Sequence, residues 1–555
     1  MGEILLNKPG KKIILLGNEA IVRGALEEGV NFVSSYPGTP ASEIGDTFFR
    51  IAKSAGVYFE YSTNEKVALE AAIGASFSGL KTLVAMKDFG INVCLDALGP
   101  FVYTGTKGPT VIVVADDPSC HSSAQWEECT RGISYLTHIP TLEPSDPQEC
   151  LDFTKLAFQI SEKFQIPVMI RITTRAAHQR APVKLGRIVK PVKVGKFIKE
   201  PKRFVTLPPR VLEMKKELLE KIEKIKEFSE KSKINKTCTG PTCASSGLSK
   251  SQIGIITSGI SYLYVMEALE ELKINLPVLK LGFFYPLPEE KIQNFIKKFK
   301  KVLIVEELEP YLEKEVERLA KDVNPKLQIL GKNLIPEVSE LKPEIVTSAI
   351  AKFTNKKLKI KNYELKIDIP KRFPQLCAGI PKRGSCPYWL VISAVKKAVD
   401  TKKVIFGGDI GCYMLFGTPL LNIQDYLSCM GSSVGIAHGI KKATQQKLIA
   451  FIGDSTFFHA GIPALINTVF NKSNPLIIIL NNQTTAMTGH QPHPGAPAEP
   501  NGVKIEEIVK ACGVKNLKII DPINQEEFIN TIKEFLNKEE VSVIIARRPC
   551  IWIKK

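Results

Sequence analysis

The sequence predicts an α/β protein built of three successive units, each a parallel sheet flanked by helices. Three observations carry this. Apolar strand-like segments alternate with helix-like ones through residues 1–183, which is the βαβ rhythm of a parallel sheet. The rhythm breaks over 184–250, resumes over 251–345, breaks again over 346–371 and fills 372–555. In the last unit two apolar segments end in Gly453-Asp454-Ser455 and in Asn481-Asn482, polar endings that suit the mouth of a parallel sheet.

The elements follow in order. Lys12–Leu16 reads as a strand and Glu19–Glu28 has helical spacing. Asn31–Tyr36 is strand-like and stops at Pro37-Gly38-Thr39-Pro40. A helix from Ser42, a strand over Tyr58–Ser62 and a helix from Glu65 follow, then strands over Thr82–Met86 and Thr110–Ala115. Residues 184–250 hold prolines, a charged amphipathic helix near Arg210–Lys233 and a Ser/Thr/Gly-rich loop, and read as a linker or surface excursion. Strands at Gly254–Thr257 and Lys301–Glu306 mark the middle unit. In the last, Leu448–Ile452 is a strand, His459–Phe470 is helical and Pro475–Leu480 is a second strand.

Composition narrows the function classes. With 44% hydrophobic and 24% charged residues, the chain can bury several cores, and no apolar run reaches the roughly 18 to 20 residues of a membrane span. The N-terminal lysines lack an apolar signal core, so a cytoplasmic location is expected, with no membrane partner. The net charge of +18 is densest over Lys184–Lys236, where glutamates interleave and aromatics are few. Two readings fit: lysines that solvate a surface, or a docking face for an acidic protein; nucleic acid is not expected. Twelve cysteines in a cytosolic chain suggest metal or cluster chemistry or buried thiols before disulfides. Cys238 and Cys243, in the polar loop, are a weak metal signal.

The strongest chemical signal is the pair of strand ends. A parallel βαβ crossover brings both strand ends to one sheet edge, so Asp454 and Asn482 meet although 28 positions separate them. Both offer hard oxygen donors, which suit Mg²⁺ bridging phosphate oxygens. Gly453 lets the backbone approach a diphosphate, and the following helix N-terminus favours the anion. The plain alternative is an ordinary βα turn with Asp454 as a cap.

The spacing is similar to the thiamine diphosphate motif, Gly-Asp-Gly followed one βα unit later by Asn-Asn, with Ser455 in place of the second glycine. The run Gly453-Asp454-Ser455-Thr456-Phe457-Phe458-His459, with Thr484-Thr485-Ala486-Met487-Thr488-Gly489-His490-Gln491, resembles the α subunit of indolepyruvate ferredoxin oxidoreductases. So do Leu16-Gly17-Asn18-Glu19-Ala20, Tyr36-Pro37-Gly38-Thr39-Pro40, Asn64-Glu65-Lys66-Val67-Ala68-Leu69-Glu70, Val113-Val114-Ala115-Asp116-Asp117-Pro118, Leu142-Glu143-Pro144-Ser145-Asp146-Pro147 and Gly408-Asp409-Ile410-Gly411-Cys412-Tyr413. The resemblance covers nearly the whole chain.

It implies the thiamine diphosphate-binding fold: 1–183 as pyrimidine-binding domain, 184–250 as charged linker, 251–345 as a transketolase C-terminal-like domain, 346–371 as linker and 372–555 as diphosphate-binding domain. Sites in this fold form where the two binding domains meet, often across subunits, so a dimer or an α2β2 assembly is implied. The implied cofactors are thiamine diphosphate and Mg²⁺. Asp454, Asn482 and Thr484 take the metal positions, and Thr39, Gly408, Asp409, Gly453 and Ser455 join Asp454, Asn482 and Thr484 around the cofactor. Glu65 stands at the position of the carboxylate that hydrogen-bonds the aminopyrimidine N1′; the plain alternative is an acidic first-turn residue favoured by the helix dipole. Thr39, His459, His490 and His493 are candidate donors to a 2-oxo acid carboxylate, with His459 and His490 in catalytic positions. The implied reaction is oxidative decarboxylation of an aryl pyruvate to acyl-coenzyme A with ferredoxin as acceptor, alongside a small β-type subunit.

Two departures concern the electrons. Family members usually continue into a ferredoxin-like tail with two runs of closely spaced cysteines for two [4Fe–4S] clusters. Here Lys555 follows Cys550 by five residues, so a ferredoxin or ferredoxin-like subunit is expected to supply the clusters. The family pattern Cys-Pro-Gly-Cys-Pro-His-Arg meets Cys377-Ala378-Gly379-Ile380-Pro381-Lys382-Arg383, and a branched alkane at Ile380 cannot ligate iron. This argues against a [4Fe–4S] cluster in the chain itself and leaves Cys377, Cys412 and Cys550 as remnants of a ligand set, with Cys386 at the wrong spacing to complete it. The competing activity is a non-oxidative thiamine-dependent decarboxylase or carboligase. A non-catalytic paralogue is disfavoured by Glu65, Asp454 and Asn482 all being present.

Overall fold

The computed structural model describes residues 3–123, 125–191, 194–240, 252–356, 386–417, 421–496 and 501–553. Chain contacts divide it into two compact units, Met1–Glu60 with Glu65–Pro370, and Tyr61–Asn64 with Lys371–Lys555.

The first unit holds strands β1 (Lys12–Leu16), β2 (Phe32–Ser35), β3 (Tyr58–Tyr61), β4 (Thr82–Lys87), β5 (Thr110–Asp116), β6 (Thr141–Leu142), β7 (Val168–Thr173) and β8 (Arg180–Lys184). It continues with β9 (Lys236–Thr239), β10 (Ile253–Ser258), β11 (Pro277–Leu281), β12 (Phe283–Tyr285), β13 (Lys301–Val305) and β14 (Gln328–Leu330). One sheet has the order β12-β6-β7-β5-β4-β2-β3, and a second has β14-β13-β10-β11-β9; β1 and β8 form an antiparallel pair. The pairs β2–β4, β4–β5, β5–β7 and β6–β7 are parallel, as are β10–β11, β10–β13 and β13–β14. The central strands β5 and β7 are apolar-rich and buried at every position, as in parallel sheets covered on both faces.

Two elements depart from the sequence reading. The 184–250 stretch is more than an excursion. Its helix, Arg210–Lys231, is charged outward but buries Leu218, Ile222 and Ile225 in the core of the first sheet, and β9 joins the second sheet antiparallel to β11. Likewise β12, which follows the middle unit's β11, pairs antiparallel with β6 of the first sheet. The apolar stripe of the helix was visible at 3.6-residue spacing, but its target is set by packing across the chain.

The first unit also buries titratable groups. Desolvation raises the Glu307, Asp88 and Glu128 carboxyls to about 7 each. A folded-state value above the unfolded one means that the folded protein holds the proton while the unfolded chain has released it. Stability from such a group is complete below the unfolded value, near 4.5 for Glu307, and is lost as pH rises towards about 7. Glu307 is buried and accepts from the Leu341 N–H at 3.0 Å, a contact that glutamine retains. Glu307→Gln is therefore expected to flatten the fall in unfolding free energy between pH 5 and 8 by up to roughly 3 kcal/mol. Denaturant melts at each pH measure this; equal slopes for both proteins would rule the assignment out.

The second unit is a five-stranded sheet of β15 (Val404–Gly407), β16 (Lys447–Gly453), β17 (Leu476–Asn481), β18 (Asn516–Ile520) and β19 (Ser542–Arg547), all pairs parallel, in the order β15-β16-β17-β19-β18. Side chains alternate between two cores. Ile449, Phe451, Ile478 and Ile544 face one layer; Leu448, Ala450, Ile452, Ile477, Ile479 and Ile545 face the other. The helix after β16 begins at Asp454, earlier than the expected His459. It passes through a π-helical turn at Phe457–Gly461 before the α-helix Ile462–Phe470. Pro463 explains the loosened turn: it has no N–H, and its ring crowds the carbonyl one turn back. No helix among the described residues is long and apolar enough to cross a membrane.

Candidate thiamine diphosphate site

In the second unit, Gly453 pairs with Leu480 in register, so Asp454 emerges beside the end of β17. The predicted juxtaposition is built from hydrogen bonds. Asp454 is 2% exposed. Its Oδ1 accepts from the Ser455 N–H at 2.9 Å and its Oδ2 from the Gln483 N–H at 2.7 Å. Thr485 Oγ1 donates to Ser455 Oγ at 3.1 Å, a second stitch between the two strand-end loops. Asn482 Oδ1 accepts from the Thr484 N–H at 3.1 Å, while its Nδ2 donates to the Tyr388 hydroxyl at 2.7 Å. Thr484 is buried with its hydroxyl 3.4 Å from the Gln491 carbonyl. The Asn481 amide, oriented with its NH₂ 3.2 Å from Asp454 Oδ2, has its oxygen 3.2 Å from Arg547 Nε.

Gly453 is required by close approach. A Cβ there would lie 2.9 Å from the Tyr413 ring, which is held by its hydroxyl bond to the Ile410 carbonyl at 2.6 Å. Tyr388 carries no sequence signal of its own, and Tyr413 enters only as the last residue of the Gly408–Tyr413 motif. Burial pushes the Tyr388 hydroxyl far up, and Cys412 and Asp454 push it further, so it stays protonated and can accept from Asn482.

The donor set fits a divalent cation. Among the described residues no lysine or arginine pairs with Asp454; the basic side chain at ion-pair distance is His493, with Nε2 3.2 Å from Oδ2. A buried carboxylate beside amide and hydroxyl oxygens, with no lysine or arginine paired to it among the described residues, is an environment that a hard oxygen-seeking ion completes.

The other expected residues fall as follows. Asp409 is fully buried, with Oδ1 accepting from the Ile410 and Gly431 N–H groups at 2.8 Å each and Oδ2 from the Ser433 N–H at 2.9 Å. Burial raises it to about 6. Its carboxylate holds the turn that starts helix Ser432–Ala443. The Gly408 N–H donates to the Tyr426 carbonyl at 2.9 Å. His459 is buried in the π-turn. His490, expected in a catalytic position, sits exposed at the tip of the turn closed by Thr485 and Gln491, with φ of 66°. His493 is the histidine brought to Asp454, in the segment that follows the chain reversal between Thr485 and Gln491.

Cys412 is half-buried at the start of the turn Cys412–Gly417, and the Cys550 N–H donates to the Asn482 carbonyl at 3.0 Å. Cys377, Ile380, Lys382 and Cys243 lie outside the described residues. Among the described residues no three His, Cys, Asp or Glu side chains converge on a metal position. Cys238 lies on β9, its Sγ 3.6 Å from the Tyr262 hydroxyl.

In the first unit, Thr39 follows β2, half-buried, in a cis Thr39–Pro40 bond, its hydroxyl 3.4 Å from Ser42 Oγ. Glu65 is 5% exposed and opens helix Glu65–Phe77, where the helix dipole favours a carboxylate. Gly90, on helix Asp88–Thr104, packs on it: a Cβ would meet Glu65 Cγ at 2.7 Å and Oε1 at 3.1 Å. Alanine at a helical glycine ordinarily stabilises by about 1 kcal/mol. Here Gly90→Ala is expected to displace Glu65 and cut turnover by about 10²-fold in a protein that still folds. Wild-type turnover would show that Glu65 needs no such support.

Comparison with known proteins agrees with this geometry. Residues 395–546 match the thiamine pyrophosphate enzyme C-terminal TPP-binding domain. Residues 23–216 match the thiamine diphosphate-binding domain of pyruvate flavodoxin/ferredoxin oxidoreductase, and 244–360 the indolepyruvate oxidoreductase domain. Fold and site together define a thiamine diphosphate-dependent oxidoreductase. The chain is 43% identical to indolepyruvate oxidoreductase subunit IorA of Methanothermobacter thermautotrophicus over 99% of its own length and 88% of that protein. It is also 43% identical to the IorA of Pyrococcus horikoshii, over 99% and 87%. The chain belongs to the indolepyruvate oxidoreductase subunit IorA family. Among solved structures, a chain of 2-oxoglutarate:ferredoxin oxidoreductase from Magnetococcus marinus with 2-oxoglutarate, coenzyme A and succinyl-CoA bound shares the fold. Its TM-score is 0.50 at 17% identity, over 61% of this chain and 65% of that one.

Proposed function

We propose that this chain is the thiamine diphosphate-carrying α-type subunit of an enzyme that oxidatively decarboxylates aryl pyruvates to acyl-coenzyme A, with ferredoxin as acceptor. The observation that carries the reading is Asp454, a buried carboxylate with no lysine or arginine partner among the described residues, tied to the Asn482–Thr485 loop in a chain of the IorA family. Asp454, Asn482 and Thr484 hold Mg²⁺, and Gly453 and Ser455 present backbone to the diphosphate. Gly408 and Asp409 shape the neighbouring strand end. When bound, the cofactor supplies a thiazolium that stores the electron pair left by decarboxylation. Glu65 holds a proton at the aminopyrimidine N1′, and Thr39, His459 and His490 serve the substrate carboxylate. A small β-type subunit completes the enzyme as a dimer or α2β2 assembly. Ile380 and Lys382, where the family pattern has cysteine and histidine, favour a ferredoxin-like partner as the holder of the [4Fe–4S] clusters.

The test is an anaerobic assay with indolepyruvate or phenylpyruvate, coenzyme A and a viologen dye, with and without the co-expressed small subunit. Dye reduction coupled to acyl-coenzyme A formation is expected once the partner is present. Aldehyde release with no dye reduction in either arm would overturn the oxidative reading.

A further inference from the structure

His493, expected from the sequence among the donors to a 2-oxo acid carboxylate, has no part in the roles proposed above. It is 7% exposed. Its Nδ1 accepts from the Gly495 N–H at 3.1 Å, which puts the ring proton of the neutral imidazole on Nε2. That Nε2 lies 3.2 Å from Asp454 Oδ2, yet makes no aligned hydrogen bond to any described residue. Oδ2 already accepts from the Gln483 N–H at 2.7 Å. The ring is held from its other side by Phe458, centroid to centroid 6.0 Å, and Gly495 packs closely on both rings. A buried donor with its tautomer set by a backbone N–H, and no acceptor of its own, is costly unless something else accepts from it.

We propose that His493 is a binding residue whose Nε2–H donates to an anionic oxygen seated beside the metal at Asp454. This rests on the proposed metal role of Asp454. The imidazole acts as a fixed N–H donor, the role that backbone N–H groups play in other anion sites. Two sources offer such an oxygen, the cofactor's diphosphate and the 2-oxo acid's carboxylate. Both are anionic oxygens, and a buried N–H beside Asp454 can donate to either.

The discriminating variants are His493→Gln and His493→Asn. The Gln amide nitrogen reaches the Nε2 position, whereas the Asn side chain reaches only the Nδ1 position. Magnesium thiamine diphosphate and magnesium pyrophosphate are titrated calorimetrically into the full chain, and phenylpyruvate KM is measured in the assembled enzyme. With the diphosphate as acceptor, H493N weakens both magnesium ligands by about ten- to a hundred-fold and H493Q binds near the wild-type level. With the carboxylate as acceptor, magnesium pyrophosphate binds H493N normally and the phenylpyruvate KM rises by the same factor, again with rescue in H493Q. Unchanged cofactor affinity and KM in H493N would overturn the proposal, as would equal losses in H493N and H493Q, which would assign His493 to loop packing through Gly495. Asp454→Asn is the separate control: if it binds magnesium pyrophosphate as the wild type does, the metal site itself is wrong, whatever His493 does.

Discussion

Asp454→Asn is expected to abolish Mg²⁺-dependent binding of thiamine diphosphate, with a loss of at least about 10²-fold in affinity. The carboxylate brings the sole formal negative charge to the donor set proposed here, and Mg²⁺ binds through one or two such groups plus phosphate oxygens. Asparagine leaves one oxygen for either the Ser455 N–H or the Gln483 N–H, which accept-only carboxylate oxygens now serve separately at 2.9 and 2.7 Å. The substitution therefore removes the ionic ligand and also loosens the bond that ties the two strand-end loops. The melting temperature separates the effects. The apo variant should lose modest stability, on the order of 1–3 kcal/mol for one unsatisfied buried group. Addition of Mg²⁺ and thiamine diphosphate should stabilise the wild type and not the variant. Equal ligand-induced shifts in both proteins would remove Asp454 from the metal site.

Glu65→Gln should have the opposite profile: cofactor affinity close to wild type and turnover reduced by about 10²- to 10⁴-fold, the range for loss of a positioned acid–base group. Glutamine preserves the volume in the space bounded by Gly90, so the fold of helices Glu65–Phe77 and Asp88–Thr104 is retained. What it cannot do is hold a proton at the aminopyrimidine N1′. The measurement is hydrogen–deuterium exchange at the cofactor C2 position, followed by NMR on the loaded protein. Wild-type exchange would strip Glu65 of its catalytic role, and loss of cofactor binding would recast it as a binding residue. Set beside Asp454→Asn, the pair separates binding of the cofactor from its activation.

The candidate site was partly legible in the chain because its main contact follows from topology. The alternation of Leu448, Ala450 and Ile452 with Ile449 and Phe451 specifies a strand buried on both faces, as does the apolar run before Asn481. Parallel connection then places Asp454 beside Asn482 without reference to any other residue, and the register Gly453 to Leu480 shows it. Glu65 was legible through its motif and its place at a helix start. His490 and His493 were not distinguishable in this way. Both lie in the loop after β17, and which one meets Asp454 depends on positive φ at Gln483 and His490 and on the turn closed by Thr485 and Gln491. Asp409 was legible as a strand-end residue beside Gly408, but its partners, the Gly431 and Ser433 N–H groups more than twenty residues away, were not.

The sequence by itself determined the α/β class, the strand ends that carry Asp454 and Asn482, the family, and the presence of a carboxylate at Glu65. These depend on side-chain periodicity, on chain direction and on short motifs, all of which are local or follow from the handedness of a parallel crossover. Tertiary structure alone decided that the charged helix Arg210–Lys231 buries Leu218 and Ile225 in the first core, that β12 crosses to the first sheet, that Tyr388 accepts from Asn482, and that His493 faces Asp454. Each of those depends on which long-range surfaces meet and on the direction a side chain leaves its loop. Those are settled by packing density and by pairing of buried polar groups over the whole unit, not by any stretch of residues read alone.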